Sequence, residues 1–248
     1  MYQCIDVIKY CFTFEQNKAN MIISIMNLKG GVGKTTLSTN LATCFAHGGF
    51  KVCIGDLDNS QFSSKKWNTQ RGDLKPEIPV FGVSGYKSQS GFSAEEGKEM
   101  AQTVKNLNND YDVVILDGAP VFEEMATWMI LISNLVICPI QTSALDVWTM
   151  KNIKQKIDQL SVMGQDKDVR VLLNFHNAQR RLDRDIEQAL VDIGMTVFKS
   201  RISNRVSYKE AIIDGLGVIE TKDKKAAEEM DLVFEETKSI ISFNQKVK

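Results

Sequence analysis

Proline is scarce, at four in 248 residues, and no low-complexity stretch interrupts the chain. Collagen-like and repetitive classes are therefore excluded. An excess of one charge is missing too: 30 Lys plus Arg face 31 Asp plus Glu, a net charge of −1. That excludes a histone-like polycation, though not a local basic patch. The five cysteines (Cys4, Cys11, Cys44, Cys53, Cys138) are scattered, odd in number and form no C-x-x-C pair. They make no disulfide framework and read as free thiols of a reducing cytosol. The two histidines, His47 and His176, lie far apart without metal-ligand spacing. No membrane span is visible either. The uncharged stretch from Met125 to Leu145 is interrupted by Ser133, Asn134, Pro139, Gln141, Thr142 and Ser143. It reads as a helix near 122–132 followed by a buried strand near 135–140. Asp6, Lys9 and Glu15 spoil any secretory h-region in the first twenty residues.

What is present is an ordinary globular mix, 43% hydrophobic and 25% charged, too apolar for whole-chain disorder. Short β-branched runs alternate with amphipathic helical patterns. Strands are predicted at 22–26, 52–54, 80–83, 113–116, 135–137 and 171–173, with a weaker one at 195–198. Helices fit near 93–109, 146–162 and 182–193. The stretch 84–97 reads as a surface connection leading into a helix. Such alternation predicts an α/β fold, a mostly parallel twisted sheet with helices on both faces. Residues 21–248 read as one domain. Residues 1–20 do not fit the alternation and read as a loosely attached extension or a non-native start, with a docked N-terminal helix as the alternative.

The segment Asn27-Leu28-Lys29-Gly30-Gly31-Val32-Gly33-Lys34-Thr35-Thr36 lies between a predicted strand and a predicted helix, the context a phosphate-binding P-loop needs. Glycines let the backbone turn with φ > 0 and bring N–H groups close to phosphate oxygens. The following helix directs its positive end at the anion. Lys34 has the reach for β- and γ-phosphates, and Thr35 offers a hydroxyl to Mg²⁺. The fold expectation is thus a P-loop NTPase.

This K-G-G-V-G-K-T-T run, with Leu28 at the usual first glycine, resembles the deviant Walker A motif of the ParA/MinD family of ATPases. The resemblance implies ATP with Mg²⁺, phosphate contacts from Gly30 to Thr36, and a homodimer in which Lys29 reaches the nucleotide of the other subunit. Asp56-Leu57-Asp58 is similar to the family's D-x-D ending, which implies a water-activating Asp58 and an Asp56 near the metal. The family's following D-P-Q is here Asp58-Asn59-Ser60-Gln61, a departure that bears on hydrolysis rate. Val113 to Asp117 resembles Walker B, making Asp117 a metal-side carboxylate alongside Thr35. Trp67 and Arg71 keep a W-x-x-x-R spacing found in small ParA proteins; helix packing and a surface charge explain them equally well. Pro139 to Trp148 resembles the P-x-Q-x-S-x-x-D-x-W segment of partition ATPases. Asn174 matches the adenine-side asparagine, with a strand-end cap as its simpler role. Ser203 and Asn204 fall in a segment that resembles the border of the base. The likeness runs from about Met21 to about Glu220.

Among short ParA proteins the resemblance implies sequence-blind DNA binding by the ATP dimer, slow hydrolysis, and a small centromere-binding ParB-like partner that accelerates it. The setting implied is a bacterial or plasmid-encoded, nucleoid-associated cytoplasmic protein. Residues 170–209 hold eight basic residues against four acids. Of these, Arg180, Arg181, Arg184, Lys199, Arg201 and Arg205 are the candidate DNA contacts, although such a cluster is also simply a solvated face. Two alternatives stay open: a MinD-like membrane-associated ATPase, and a nucleotide-binding scaffold with little hydrolysis. For the first, the stripe Met230, Val233, Phe234, Ile240 and Ile241 carries acids rather than Lys and Arg on its other face, so it is expected to pack on the domain. A nitrogenase-type electron carrier is disfavoured, because no cysteine follows Asp117 closely.

Overall fold

Among the described residues the apolar runs become seven strands, all paired in parallel: β1 (Met21–Asn27), β2 (Val52–Asp56), β3 (Val80–Gly82), β4 (Val113–Pro120), β5 (Leu135–Ile140), β6 (Val169–Leu173) and β7 (Thr196–Val197). Between and after them run α1 (Lys34–His47), α2 (Ser63–Arg71), α3 (Ala94–Asp110), α4 (Glu123–Ile132), α5 (Ala144–Val162), α6 (Arg181–Asp192), α7 (Val206–Ile213) and α8 (Lys224–Val247). This computed structural model describes residues 20–58, 62–83, 92–120, 123–177 and 181–247. The expected extension, apart from Asn20, lies outside the described residues, as do Asn59–Gln61, most of the 84–97 connection, and Arg180. The uncharged 125–145 stretch divides into α4, β5 and the start of α5. Among the described residues no helix is long and apolar enough to cross a membrane.

Side chains alternate across each buried strand, so each strand feeds two cores. Ile22 and Met26 of β1 join a core under α3 to α6, with Met100, Trp128, Ile153 and Leu190. Ile23 and Ile25 join the opposite core, with Leu37 and Phe45 of α1, Trp67 of α2 and Met230 of α8. The apolar stripe of α8 is buried there, as its charge pattern led us to expect: Met230, Val233, Phe234, Ile240 and Ile241 all belong to this core.

The sheet order is β3-β2-β4-β1-β5-β6-β7. β1 therefore sits between β4 and β5, where successive crossovers leave for opposite sides of the sheet. Open parallel sheets bind ligands outside the carboxyl ends of strands at such a switch point. The loops after β1, β2, β5 and β6 all open at that edge.

Candidate nucleotide-binding site

The loop leaving β1 is shaped by two left-handed glycines, Gly31 at φ +73° and Gly33 at φ +91°. A Cβ on Gly33 would fall 2.3 Å from Nδ2 of Asn174, so both φ and space require glycine there. α1 starts directly after Gly33, and no side chain caps its first turn. Its first backbone N–H groups thus remain available to an anion.

Amide side chains from neighbouring strands brace the loop. Asn27 Nδ2 donates to Pro139 O at 2.8 Å, while its Oδ1 accepts from the Lys29 amide at 2.9 Å. Gln141 Nε2 donates to Gly31 O at 2.9 Å, and Asn174 Nδ2 to Val32 O at 2.8 Å. The expected adenine-side amide of Asn174 is thus engaged within the chain: its Oδ1 also accepts from the Phe175 amide at 3.0 Å. The strand-end cap weighed for it is formed. Phe175 itself sits at φ +57°, rare for a bulky residue.

The two lysines of the loop point different ways. Lys34 is buried and donates from Nζ to Lys29 O at 2.8 Å, inside its own loop. Burial holds its ammonium below the usual lysine range, with Asp117 and Asp58 pulling the other way. Lys29 turns out of the loop, and its Nζ lies 3.2 Å from Oδ1 of Asp146, with 36% of the side chain exposed. Asp146 is fully buried in the first turn of α5 and also accepts from the Ser143 hydroxyl. Beside this ion pair runs an open groove of about 410 Å³ lined by Leu28, Lys29, Leu145, Trp148, Thr149 and Asn152. Trp148 is 66% and Leu145 58% exposed.

The expected metal-side carboxylates meet through strand register. Asp56 of β2 stands opposite Asp117 of β4, and both are buried. Burial lifts Asp117 to about 6; hydroxyls of Ser64, Thr35 and Ser38 oppose the rise, and Asp56 adds to it. The Ser38 hydroxyl lies 2.9 Å from Asp117 Oδ1, and Ser64 donates to Oδ2. Asp56 is also raised, by burial foremost, although backbone N–H groups of Asp58 and Lys65 hold its oxygens. Asp58 is half-buried at the end of the D-x-D turn. Thr35 and Thr36 are half-buried in the first turn of α1.

This donor set fits Mg²⁺ with a triphosphate. Hard oxygens of Thr35, Asp56 and Asp117 converge beside a glycine cradle. A desolvated carboxylate raised to about 6 has a cation to gain. Among the described residues no cluster of three or more His, Cys, Asp or Glu forms an all-protein metal cage, and Mg²⁺ does without one by keeping waters and phosphate oxygens.

In the segment expected to border the base, Ser203 is bridged to His176 and Ile202 is hydrogen-bonded to Leu173 at 3.0 Å, so 202–204 runs beside Asn174. Ser203 is half-buried and Asn204 exposed. Two of the candidate DNA contacts are engaged within the chain. Arg201 is paired with Glu187, and Arg205 with Glu229 at 2.7 Å. Arg184 and Lys199 are exposed, and Arg181 is the first residue of α6. Glu187 lies within the same 170–209 segment, whereas Glu229 lies on α8, beyond it, so a net charge summed over the segment misses the second pairing. Sequence reasoning also passed over Asn27, Ser38 and Ser64. Only the position of Ser38, one helical turn after Lys34, offered a signal.

Comparison with known proteins places the geometry in context. The sequence profile described as "CobQ/CobB/MinD/ParA nucleotide binding domain" matches residues 23–218. The maintenance of carboxysome distribution protein A of Halothiobacillus neapolitanus is 24% identical, over 89% of this chain and 97% of that protein. The sporulation initiation inhibitor protein Soj of Bacillus subtilis is 22% identical, over 80% and 90%. Among solved structures, septum site-determining protein MinD of Pyrococcus horikoshii with Mg-ADP superposes with TM-score 0.68 at 18% identity, covering 91% of this chain and 98% of that one. An ATP complex of a McdA variant from Cyanothece gives 0.68 at 16% identity, covering 89% and 97%. These likenesses establish the fold.

Proposed function

Because this chain belongs to the CobQ/CobB/MinD/ParA nucleotide-binding family and is an ATPase of its ParA/MinD branch, we propose that it is a cargo-partitioning ATPase. It dimerises on Mg-ATP, binds DNA without sequence preference while dimeric, and is reset by slow, partner-stimulated hydrolysis. The observation that carries this reading is the division of labour between the loop lysines. Lys34 turns into its own loop, whereas Lys29 turns away from it beside an exposed Trp148 and Leu145. A cation in that position serves an anion held by a second copy, and aromatic and aliphatic residues around it are what protein interfaces bury.

In this reading the amides of 30–35 and Lys34 bind the phosphates. Thr35, Asp56 and Asp117 would hold Mg²⁺, which would supply positive charge against the phosphates. Asp58 orients and deprotonates the attacking water, as a carboxylate near the reacting phosphate can. Lys29 leaves Asp146 and places its charge against the partner's phosphates, a role that resembles an arginine finger, which contributes about 10³–10⁵ in rate. The relatives with related architecture distribute carboxysomes or inhibit sporulation initiation by name. For this chain we propose DNA or a protein assembly as cargo, a nucleoid-associated setting in the cytoplasm, and a small ParB-like partner.

Calorimetry with Mg-ATP and light scattering with a non-hydrolysable analogue test the proposal. The expected results are saturable uptake and a doubling of mass. Lys29→Ala is expected to keep ATP binding and to lose partner-stimulated hydrolysis by about 10³-fold. A Lys29→Ala protein that hydrolyses at the parent rate removes the cross-subunit role, and absence of ATP uptake removes the whole reading.

A further inference from the structure

The segment from Lys199 to Arg205 joins β7 to α7 and holds the two residues proposed for the base side, Ser203 and Asn204. It has little regular structure of its own. Its polar groups are instead collected by two carboxylates one heptad apart on α8. Glu236 accepts from the Lys199 amide at 2.8 Å, the Ser200 amide at 2.8 Å and the Ser200 hydroxyl at 2.7 Å. Glu229 accepts from the Ser203 amide at 3.2 Å, the Ser203 hydroxyl at 2.7 Å, and Nε and Nη2 of Arg205 at 3.1 and 2.7 Å. Both carboxylates are half-buried. Residues four and three apart, and hence seven apart, share one helix face, so α8 presents a two-toothed clamp to this segment while its apolar face, Met230, Val233 and Phe234, anchors it in the core.

The clamped segment leads to the P-loop by a short path. Ile202 donates to Leu173 O at 3.0 Å and accepts from the His176 amide at 2.9 Å. Asn174, between those two, touches Gly33 and donates to Val32 O. Where Ser203 and Asn204 stand relative to the phosphate cradle therefore depends on how α8 holds them.

We propose that Glu229, supported by Glu236, is a positioning residue for nucleotide-base selection: the C-terminal helix sets the base side of the pocket, and with it the preference for one purine over another. This rests on the nucleotide reading above. Charge-assisted bonds of this kind are stronger than neutral ones. Burial alone would raise the Glu229 carboxyl, yet Arg205 and Ser203 outweigh it and hold the group below its ordinary range. The clamp is therefore closed at neutral pH.

The test measures affinities of the full chain for Mg-ATP, Mg-GTP and magnesium tripolyphosphate by calorimetry, for the parent, Glu229→Gln and Glu236→Gln. Glu229→Gln is expected to weaken ATP about tenfold, to narrow the ATP-to-GTP ratio, and to leave tripolyphosphate unchanged, because the phosphate cradle is intact. Glu236→Gln, whose partners lie farther along the segment, is expected to show the same pattern more weakly and serves if Glu229→Gln does not fold. A merely structural role would lower all three affinities alike, along with the melting temperature, and would overturn the inference. So would an unchanged ATP-to-GTP ratio in both variants. If the parent takes up tripolyphosphate but no nucleotide preferentially, the adenine reading itself has failed, and the inference with it.

Discussion

Arg71 is nearly fully buried yet leaves no guanidinium nitrogen unused. Nη1 and Nη2 each reach Glu220 at 2.8 Å, Nη1 also reaches Gly215 O at 3.0 Å, and Nη2 reaches Pro76 O at 3.0 Å, with Nε to the same carbonyl at 3.3 Å. Trp67, one turn earlier, is buried and donates to Leu216 O at 3.1 Å. The W-x-x-x-R spacing thus ties α2 to the chain between α7 and α8: Trp67 packs as expected, while Arg71, expected as a surface charge, is instead a buried ion-pair partner. A buried ion pair that loses one member leaves an uncompensated charge, which costs about 3–5 kcal/mol. Glu220→Gln is accordingly expected to destabilise by about that amount in urea unfolding at pH 7. Burial alone would raise Glu220, but Arg71, His47 and the Gly217 amide outweigh it and lower it from 4.5. Its contribution is therefore complete above pH 4.5 and disappears as pH falls through the lower folded value. The difference between parent and variant should shrink near pH 3; a gap of equal size at both pH values would contradict the ion-pair account.

At the scale of elements, α8 does two jobs with two faces. Its apolar face packs on α1, where the Phe45 and Phe234 rings meet edge to face at 4.9 Å and 89°. A Cβ on Gly48 would approach the Phe234 ring to 3.2 Å, so the end of α1 is fitted closely to it. Phe234→Ala should cost about 3–5 kcal/mol in chemical denaturation, with the denaturant slope unchanged. A loss below about 0.5 kcal/mol would mean that the helix is held elsewhere. This face was legible in the chain because its period is helical and its other side acidic. The clamp formed by Glu229 and Glu236 was not legible: acids on a solvent face look alike in sequence, and only their partners in a loop some 30 residues earlier distinguish them. Other elements read well. The predicted helix at 93–109 appears at Ala94–Asp110 because Ser93 and Glu96 form a capping box, a signal local in sequence. The short β7, Thr196–Val197, was the weakest strand in the pattern and is one of the sheet's two edge strands.

At the scale of the whole molecule, ion pairs within the chain bear on the proposed contact with DNA. In-chain ion pairs of Arg170 with Asp168, Arg201 with Glu187, and Arg205 with Glu229 reduce the basic segment's offer to phosphates. Exposed cations in that segment include Arg184, Lys199 and Lys209. Under the proposed function, filter binding to random-sequence duplex is expected only with ATP. If those three residues carry it, the slope of log K against log salt should lie near −3 for each protomer. Binding of equal strength without nucleotide would argue against the ATP-dependent dimer, and a much steeper slope would show Arg201 and Arg205 leaving their carboxylates for DNA.

The chain alone determined the α/β class, the alternation of strands and helices, and the position of the phosphate loop. Each of these follows from local periodicity or from backbone freedom that only glycine has, and local rules need no fold to act. The tertiary structure decided which charges are spent within the molecule. Arg71 against Glu220 and Arg205 against Glu229 each join residues far apart in the chain. Coulomb attraction depends on separation in space, which sequence distance does not report, so the division between anchored and available cations emerged only once the sheet had brought the loops together.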